Sequence, residues 1–482
     1  MSSVLMSTVC AAALLGLPPD HSKGYFPNLE RPNAEKVQID RAEGPVILVV
    51  VDALRPDRMT PYGFARPTTP HLDALADEGL LLTNYYVNGN WTRPSTASML
   101  TGLPPAAHGA ERERDRLADQ FVTLAEALNQ ADVPTGAVVG NGNAASAFGL
   151  ARGFDFYADT VDHWQGLPSA EQVTELAVPF VEKHKDEPFF LMLFFVDPHD
   201  PYHAPAPYEN MFVENPDAEL IRTPHWEKEE YTPAQIKRMQ ATYDGAVRYT
   251  DETLGQFFNE LRQIGVYDEA TIMVTADHGE AFGEHGVFLH SHHLYDEIIR
   301  APMIIRAPEM SRRGVYNHYL FQTTDLMPTL VRYFNGRTPE SVGGVSIMEM
   351  LAHPQRNDPN RWVVSEFHNF GIKRRTVRSY THKVIYQAPA NQEEFMATVR
   401  NPALLPSVSF DKEVVSFFRI DRDPFEKKDV YSPKRARSQP WARMLKAMRD
   451  YRAVIEKPST KPMAEHLDDQ TYQDLKALGY IE

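Results

Sequence analysis

Three short apolar runs each end in residues able to hold a cation or move a proton. VILVVV (Val46–Val51) is followed at once by Asp52, FFLMLFFV (Phe189–Val196) by Asp197 and His199, and TIMVT (Thr271–Thr275) by Asp277 and His278. Carboxylates and imidazoles are the side chains that ligate divalent metals and carry general acid–base chemistry. Taken singly, each placement is also what a loop cap looks like, because Asp is a common turn residue. Three coincidences on three apolar runs point instead to one shared metal or catalytic site. A further segment, NWTRPSTASMLTG (Asn90–Gly102), brings a hydroxyl. Pro94 suits the first turn of a helix and Gly102 its stop, so Thr92 falls at or just before the helix N-terminus. Free amides and the positive dipole end there stabilise an anion, a threonine alkoxide included. An N-cap role alone would also account for Thr92.

These side chains meet only if the three runs are neighbouring strands. Each run is short, unbroken and rich in β-branched or aromatic residues, as in strands buried on both faces of a parallel sheet. Helical patterns at Thr123–Asn129 and Ala234–Ile264 lie between them. The alternation predicts an α/β fold with a large mixed, mostly parallel sheet flanked by helices on both faces. Ligands of such sheets bind beyond the carboxyl ends of the strands, where all five acids and histidines fall. Residues 1–44 read as a leader and linker arm, 45–370 as the catalytic domain and 371–482 as a small C-terminal α+β subdomain. The last contains alternating stretches, THKVIYQ and VVSFFRI, that predict an antiparallel sheet, and a helical ending, QTYQDLKALGYIE.

The chain of 482 residues carries 49 basic and 65 acidic side chains, a net charge of −16. Such a surface repels phosphate backbones and anionic lipid, which argues against nucleic acid as a partner. Cys10 is the single cysteine, so no internal disulfide and no thiolate metal cluster can form. The apolar run Val4–Leu17 resembles an export signal, although no Lys or Arg precedes it and fourteen residues cannot span a bilayer. Export to the periplasm or beyond is expected, with a cytoplasmic enzyme as the alternative and no stable membrane span. The basic stretch KRRTVR (Lys373–Arg378) reads as a solvated edge, and Arg93 as an anion contact or a surface residue.

VVVDALRPDRMTPYG, TPHLDALADEG, WTRPSTASMLTGL, VDPHDPY, TADHGEAFGEHG and LYDEIIRAPMIIRAP occur in this order around the candidate residues. Together with RIDRDPFEKKDV and LKALGY near the end, they closely resemble the sulfatase branch of the alkaline phosphatase superfamily, from about Pro45 onward. The resemblance implies an alkaline phosphatase-like fold and a metal-dependent hydrolase of sulfate or phosphate esters. That family's consensus is Cys or Ser, any residue, Pro, Ser, Arg, its first residue becoming formylglycine. Here Thr92 stands first and Thr96 replaces the arginine. The resemblance therefore implies direct attack by Thr92, as in relatives with a plain threonine that act on phosphodiesters or transfer phospho-headgroups, with metal and histidine stabilising the nucleophile.

The resemblance also implies metal ligation by Asp52, Asp277 and His278, with Thr92 as fourth ligand. Many sulfatases carry a second acid where this chain has Ala53, and Asn where it has His278. Two carboxylates and an imidazole suit manganese, zinc or iron better than calcium, which prefers an all-oxygen shell. His199 matches a substrate-contacting histidine that also protonates the leaving group. His290, twelve residues after His278, stands where the family has a lysine; it would serve as general acid or as ligand to a second ion. His108 matches a family position near the nucleophile, as a substrate contact or a structural hydrogen bond. Candidates for a second ion are Asp197, His285 and His292. The implied substrate is a small anionic ester, a sulfated or phosphorylated glycan or a lipid headgroup, and a homo-oligomer is compatible with all of this. Two rival readings remain: a non-catalytic anion- or glycan-binding descendant, motivated by Thr96 and Ala53, and a phospho-headgroup transferase.

Overall fold

The computed structural model describes residues 29, 37–39, 44–159, 168–215, 217–222, 231–354, 361–398, 408–455 and 465–477. The apolar run at Val4–Leu17 and most of the arm that follows it lie outside these residues. The main sheet has eight strands: β1 (Val46–Val51), β2 (Leu80–Leu82), β3 (Thr135–Val139), β4 (Phe156–Asp159), β5 (Phe190–Phe195), β6 (Thr271–Thr275), β7 (Met303–Arg306) and β8 (Gly314–Tyr316). Their order is β8-β2-β7-β6-β1-β5-β3-β4, and β7 alone runs antiparallel to its neighbours.

The three apolar runs are thus adjacent strands. Val51 pairs with Phe195 of β5 and Val50 with Thr275 of β6, both in parallel register. A bond from the Asp52 N–H to the Phe195 carbonyl, 2.9 Å, carries the ladder one residue further. Every residue of β1, β5 and β6 is buried. Since successive side chains point to opposite faces, both faces of the sheet are covered. The chains that follow these strands leave the sheet at one edge, side by side.

Helices are set by their own ends. Thr123 caps the helix Leu124–Asn129 and Thr232 the helix Pro233–Ile264 through capping boxes, where the hydroxyl accepts an N3 amide and the N3 side chain accepts the cap amide. In chain order the helices used below are α1 (Pro70–Glu78), α2 (Thr92–Thr101), α3 (Leu124–Asn129), α4 (Ala170–His184) and α5 (Pro233–Ile264). Gly265, at φ 88°, stops α5 in the left-handed region that favours glycine. Among the described residues no helix is long and apolar enough to cross a membrane.

The second, antiparallel sheet comprises β9 (Val363–Asn369), β10 (Ile372–Arg378), β11 (Lys383–Gln387) and β12 (Val414–Phe418) in that order. It begins at Val363, before the expected change at Gly371. Phe370 and Gly371, at φ 52° and 70°, form the tight turn between β9 and β10. The change of texture in the sequence therefore marks a hairpin turn, not the start of the sheet. Trp441 packs flat on Phe417, ring centroids 4.3 Å apart, and closes a small separate core. The basic stretch is no solvated edge: Arg374, Arg375 and Arg378 are buried on an inner strand. Arg375 is paired with Glu366 at 2.6 Å and Arg378 with Asp296 at 2.8 Å. Residues 465–466 pair with 115–116, and Tyr472 joins the main core.

Candidate active site

Asp52, Asp277 and His278 are fully buried and offer three donor atoms that all lie within 4.8 Å of one another. His278 Nε2 stands 3.3 Å from Asp52 Oδ1 and 3.3 Å from Asp277 Oδ2. The other ring nitrogen, Nδ1, donates to the Gly279 carbonyl at 2.9 Å, which leaves Nε2 as a lone pair aimed at the two acids. Asp277 Oδ1 accepts the His278 and Ala53 amides at 2.9 and 3.3 Å, and Asp52 Oδ2 accepts Asn141. The remaining oxygens, Asp52 Oδ1 and Asp277 Oδ2, have no hydrogen-bond partner among the described residues.

Two unpartnered carboxylate oxygens and one imidazole lone pair, buried and mutually facing, repel one another unless a cation lies among them. The titration of the acids records that cost. Burial pushes Asp52 up to about 6, and burial with the nearby Asp52 charge pushes Asp277 up to about 7. The donor set therefore fits a divalent ion.

The backbone behind these ligands is tightly constrained. Ala53 adopts φ 54°, so the chain turns sharply after Asp52; Tyr243 holds that turn by donating its hydroxyl to the Ala53 carbonyl at 2.8 Å. A methyl group on Gly279 would run into the Glu297 carbonyl, so the residue after His278 cannot carry a side chain without moving its neighbour.

Thr92 is the first residue of α2, and the cap position belongs to Trp91, which makes no side-chain cap bond. The hydroxyl is thus not spent on capping. It lies 3.5 Å from His278 Nε2 and 3.3 Å from Asn141 Nδ2, on a helix buried along its whole length.

His199 Nδ1 donates to the Asp200 carbonyl at 2.5 Å. Burial opposes its charge, but the carboxylates of Asp52, Asp200 and Glu280 outweigh burial and push the ring up to about 10. His290 goes the other way: burial and the neighbouring His278 and His199 push it well below its ordinary value. Its ring stacks on His278 with centroids 4.1 Å apart, and its Nδ1 lies 3.3 Å from Glu280 Oε1. His199, Asp200 and His290 form a second group with donor atoms within 4.8 Å of one another.

Other expected residues lie elsewhere. Asp197 is raised to about 7 by burial and by the charge of Glu171, away from the ligand cluster. His285 stacks on Tyr295 at 3.7 Å and faces Glu297 at 3.5 Å, while His292 lies against Phe370. The second-ion set of Asp197, His285 and His292 is therefore not assembled. Leu289 and Ser291, on either side of His290, both adopt positive φ, and the His290 ring packs against His278 and His199. Both ring nitrogens of His108 are engaged within the protein: its Nε2 is 3.2 Å from both Ser98 Oγ and the Pro94 carbonyl, and its Nδ1 accepts the Ala110 amide. It ties α2 to the turn behind it. Arg93 is not a surface residue. It is buried over Phe148 and bonds the carbonyls of Arg112 and Asp115 at 2.9 and 3.2 Å.

Asn141, Asp200 and Glu280 were missed in the sequence. Asn141 lies two residues beyond β3, which neighbours β5, so the same strand-end rule reaches it once titratable residues are not the only ones considered.

Residues 45–336 match the family model described as Sulfatase, and residues 283–453 match the one described as N-sulphoglucosamine sulphohydrolase, C-terminal. The chain belongs to the sulfatase family, within the alkaline phosphatase-like superfamily, and is an ester hydrolase. Among similar proteins, the multifunctional alkaline phosphatase superfamily protein PehA of Trinickia caryophylli is 26% identical, over 79% of this chain and 90% of its own. N-sulphoglucosamine sulphohydrolase of Homo sapiens is 29% identical over 57% of each chain. Among solved structures, one in complex with its substrate D-glucosamine-2-N,6-O-disulfate superposes with TM-score 0.70 at 17% identity, over 87% of this chain and all of that one. Phosphonate monoester hydrolase of Agrobacterium radiobacter gives 0.65 at 18% identity, over 86% and 95%. Both share the fold.

Proposed function

We propose that this chain is a metal-dependent hydrolase of sulfate or phosphate esters in which Thr92 Oγ1 attacks sulfur or phosphorus directly. The observation that carries the reading is a helix-terminal hydroxyl, unused in capping, set 3.5 Å from the lone pair that completes a buried cation-binding triad. A divalent ion on Asp52, Asp277 and His278, with manganese, zinc or iron preferred, would lower the hydroxyl pKa and neutralise charge on the ester.

The chain's own groups do the rest. Thr92 attacks as its alkoxide, at the amide-rich end of α2. His199, held as an imidazolium, donates its proton to the departing oxygen. The neutral ring then takes a proton from the water that hydrolyses the threonine ester, and the hydroxyl is restored. Asp200 is the charge partner of His199, and the neutral ring of His290 packs beside it rather than ligating a second ion.

Sulfated glycans are the preferred substrate class, in keeping with the relatives' names, and phosphonate and phosphate esters the second. Action outside the cytoplasm rests on the apolar run at Val4–Leu17 alone. A panel of aryl sulfate, phosphodiester, phosphonate and phosphomonoester substrates, each with added manganese, zinc or calcium, tests the reading. Turnover of at least one class, abolished by chelation and restored by manganese or zinc, is expected. Binding of a sulfated glycan with no turnover on any substrate would replace the hydrolase with the non-catalytic descendant.

A further inference from the structure

The side-chain amide of Asn141 touches both the nucleophile and one of its ligand acids. Nδ2 lies 3.3 Å from Thr92 Oγ1 and 2.5 Å from Asp52 Oδ2. Its orientation is decided by the backbone. Oδ1 accepts the Asn143 N–H at 2.7 Å, capping the turn at Gly142–Ala144, so the NH2 end must be the one facing the site. Behind it, Arg93 Nη2 donates to Asn143 Oδ1 at 2.9 Å, and the same guanidinium grips the backbone carbonyls named above. The arginine next to the nucleophile is thus built into the wall that carries the amide.

We propose that Asn141 is a catalytic residue, whose Nδ2 donates to Thr92 Oγ1 as negative charge forms there, and that Arg93 and Asn143 position it. The assignment rests on Thr92 being the nucleophile. One amide N–H is engaged by Asp52 and the other is directed at the hydroxyl oxygen. A hydrogen bond to that oxygen strengthens as it becomes an alkoxide, which lowers the barrier to attack without tightening ground-state binding. The same N–H serves the oxygen again when the covalent ester breaks down and Thr92 departs. An amide has no proton to lose in the working pH range, so this help does not titrate, unlike that of the imidazoles nearby.

The test is a set of Asn141→Ala, Asn141→Asp and Thr92→Ala proteins, each assayed for kcat, KM, bound metal and Tm on whichever substrate the wild type turns over. For Asn141→Ala, kcat should fall about 100-fold, with KM within about threefold and metal content unchanged. Asn141→Asp keeps the volume but replaces the donor with an acceptor, and should lose at least as much. Adding Asn143→Ala to Asn141→Ala should cost nothing further in kcat, because Asn143 acts through Asn141. An Asn141→Ala enzyme with wild-type kcat overturns the assignment. So does a loss of kcat that vanishes when activity is expressed per bound ion, since Asn141 would then only support Asp52. If Thr92→Ala stays active, the nucleophile reading falls and this assignment with it; if Thr92→Ala is dead while Asn141→Ala is unaffected, the assignment falls alone.

Discussion

The imidazoles of His199 and His290 stand 4.8 Å apart between ring centroids, at 67°, and the protein drives them in opposite directions. Three carboxylates hold His199 up near 10, while burial among other rings keeps His290 neutral. Adjacent groups pushed apart in this way are suited to distinct roles, one donating and one not. Where His199 serves as the protonated acid, kcat should decline on the alkaline side, at a pH lowered from about 10 by an ion on Asp52, whose charge is the largest that raises the ring. His199→Asn should lose that alkaline limb and slow aryl esters with poor leaving groups by about 100-fold, while those with good leaving groups lose little. Rates across a leaving-group series check this; equal losses along the series would remove His199 as the acid.

Metal affinity should rise with pH. Asp52 and Asp277 titrate near 6 and 7 in the metal-free protein, and both must shed protons to ligate. Binding should be about tenfold or more weaker at about pH 5 than at about pH 8. The same groups make a stability prediction. Their folded pKa values lie above the unfolded ones, so each takes up protons on folding. The chelated protein therefore loses stability as pH rises from about 4 to about 7, and added metal should raise Tm more at the alkaline end. Calorimetric titration and thermal unfolding at both pH values measure the two effects.

Lys383 should be a stability residue without a part in chemistry. Its ammonium is fully buried, 2.9 Å from Asp296 Oδ1 and 2.8 Å from Glu426 Oε1, with Arg378 closing the cluster. Lys383→Met leaves a buried acid pair short of one cation and should cost about 3–5 kcal/mol. Denaturant unfolding should show the loss, while kcat/KM of the folded fraction stays near wild type.

The sheet and the acids and histidines gathered at its strand ends could be read in the sequence because the signals were local. Each of β1, β5 and β6 is an unbroken apolar run with an acid within two residues of its end, and parallel register puts those ends together. Pro94 and Gly102 likewise framed α2. What escaped depended on contacts between distant residues. Arg374, Arg375 and Arg378 look like a solvated edge until Asp296 and Glu366 come to meet two of them inside the fold. The histidines around His290 look like one cluster, but His285 and His293 stack on Tyr295 and His292 lies against Phe370. Asn141 carries no charge to draw notice; only the adjacency of β3 and β5 shows that it belongs to the site.

Glycine at 279 makes a sharp mutational probe. Gly279→Ala places a methyl against the Glu297 carbonyl and must shift the segment that carries His278. Metal content should fall along with activity, whereas Asn141→Ala should lose activity alone. Elemental analysis of the two purified proteins distinguishes them.

Intact-mass spectrometry of enzyme quenched during turnover of a slow aryl sulfate tests the role of Thr92 most directly. The account predicts a gain of about 80 Da on the wild type, mapped to the peptide containing Thr92 and absent from Thr92→Ala. A Thr92→Ala protein that carries the same adduct, or that turns over substrate at the wild-type rate, would contradict it.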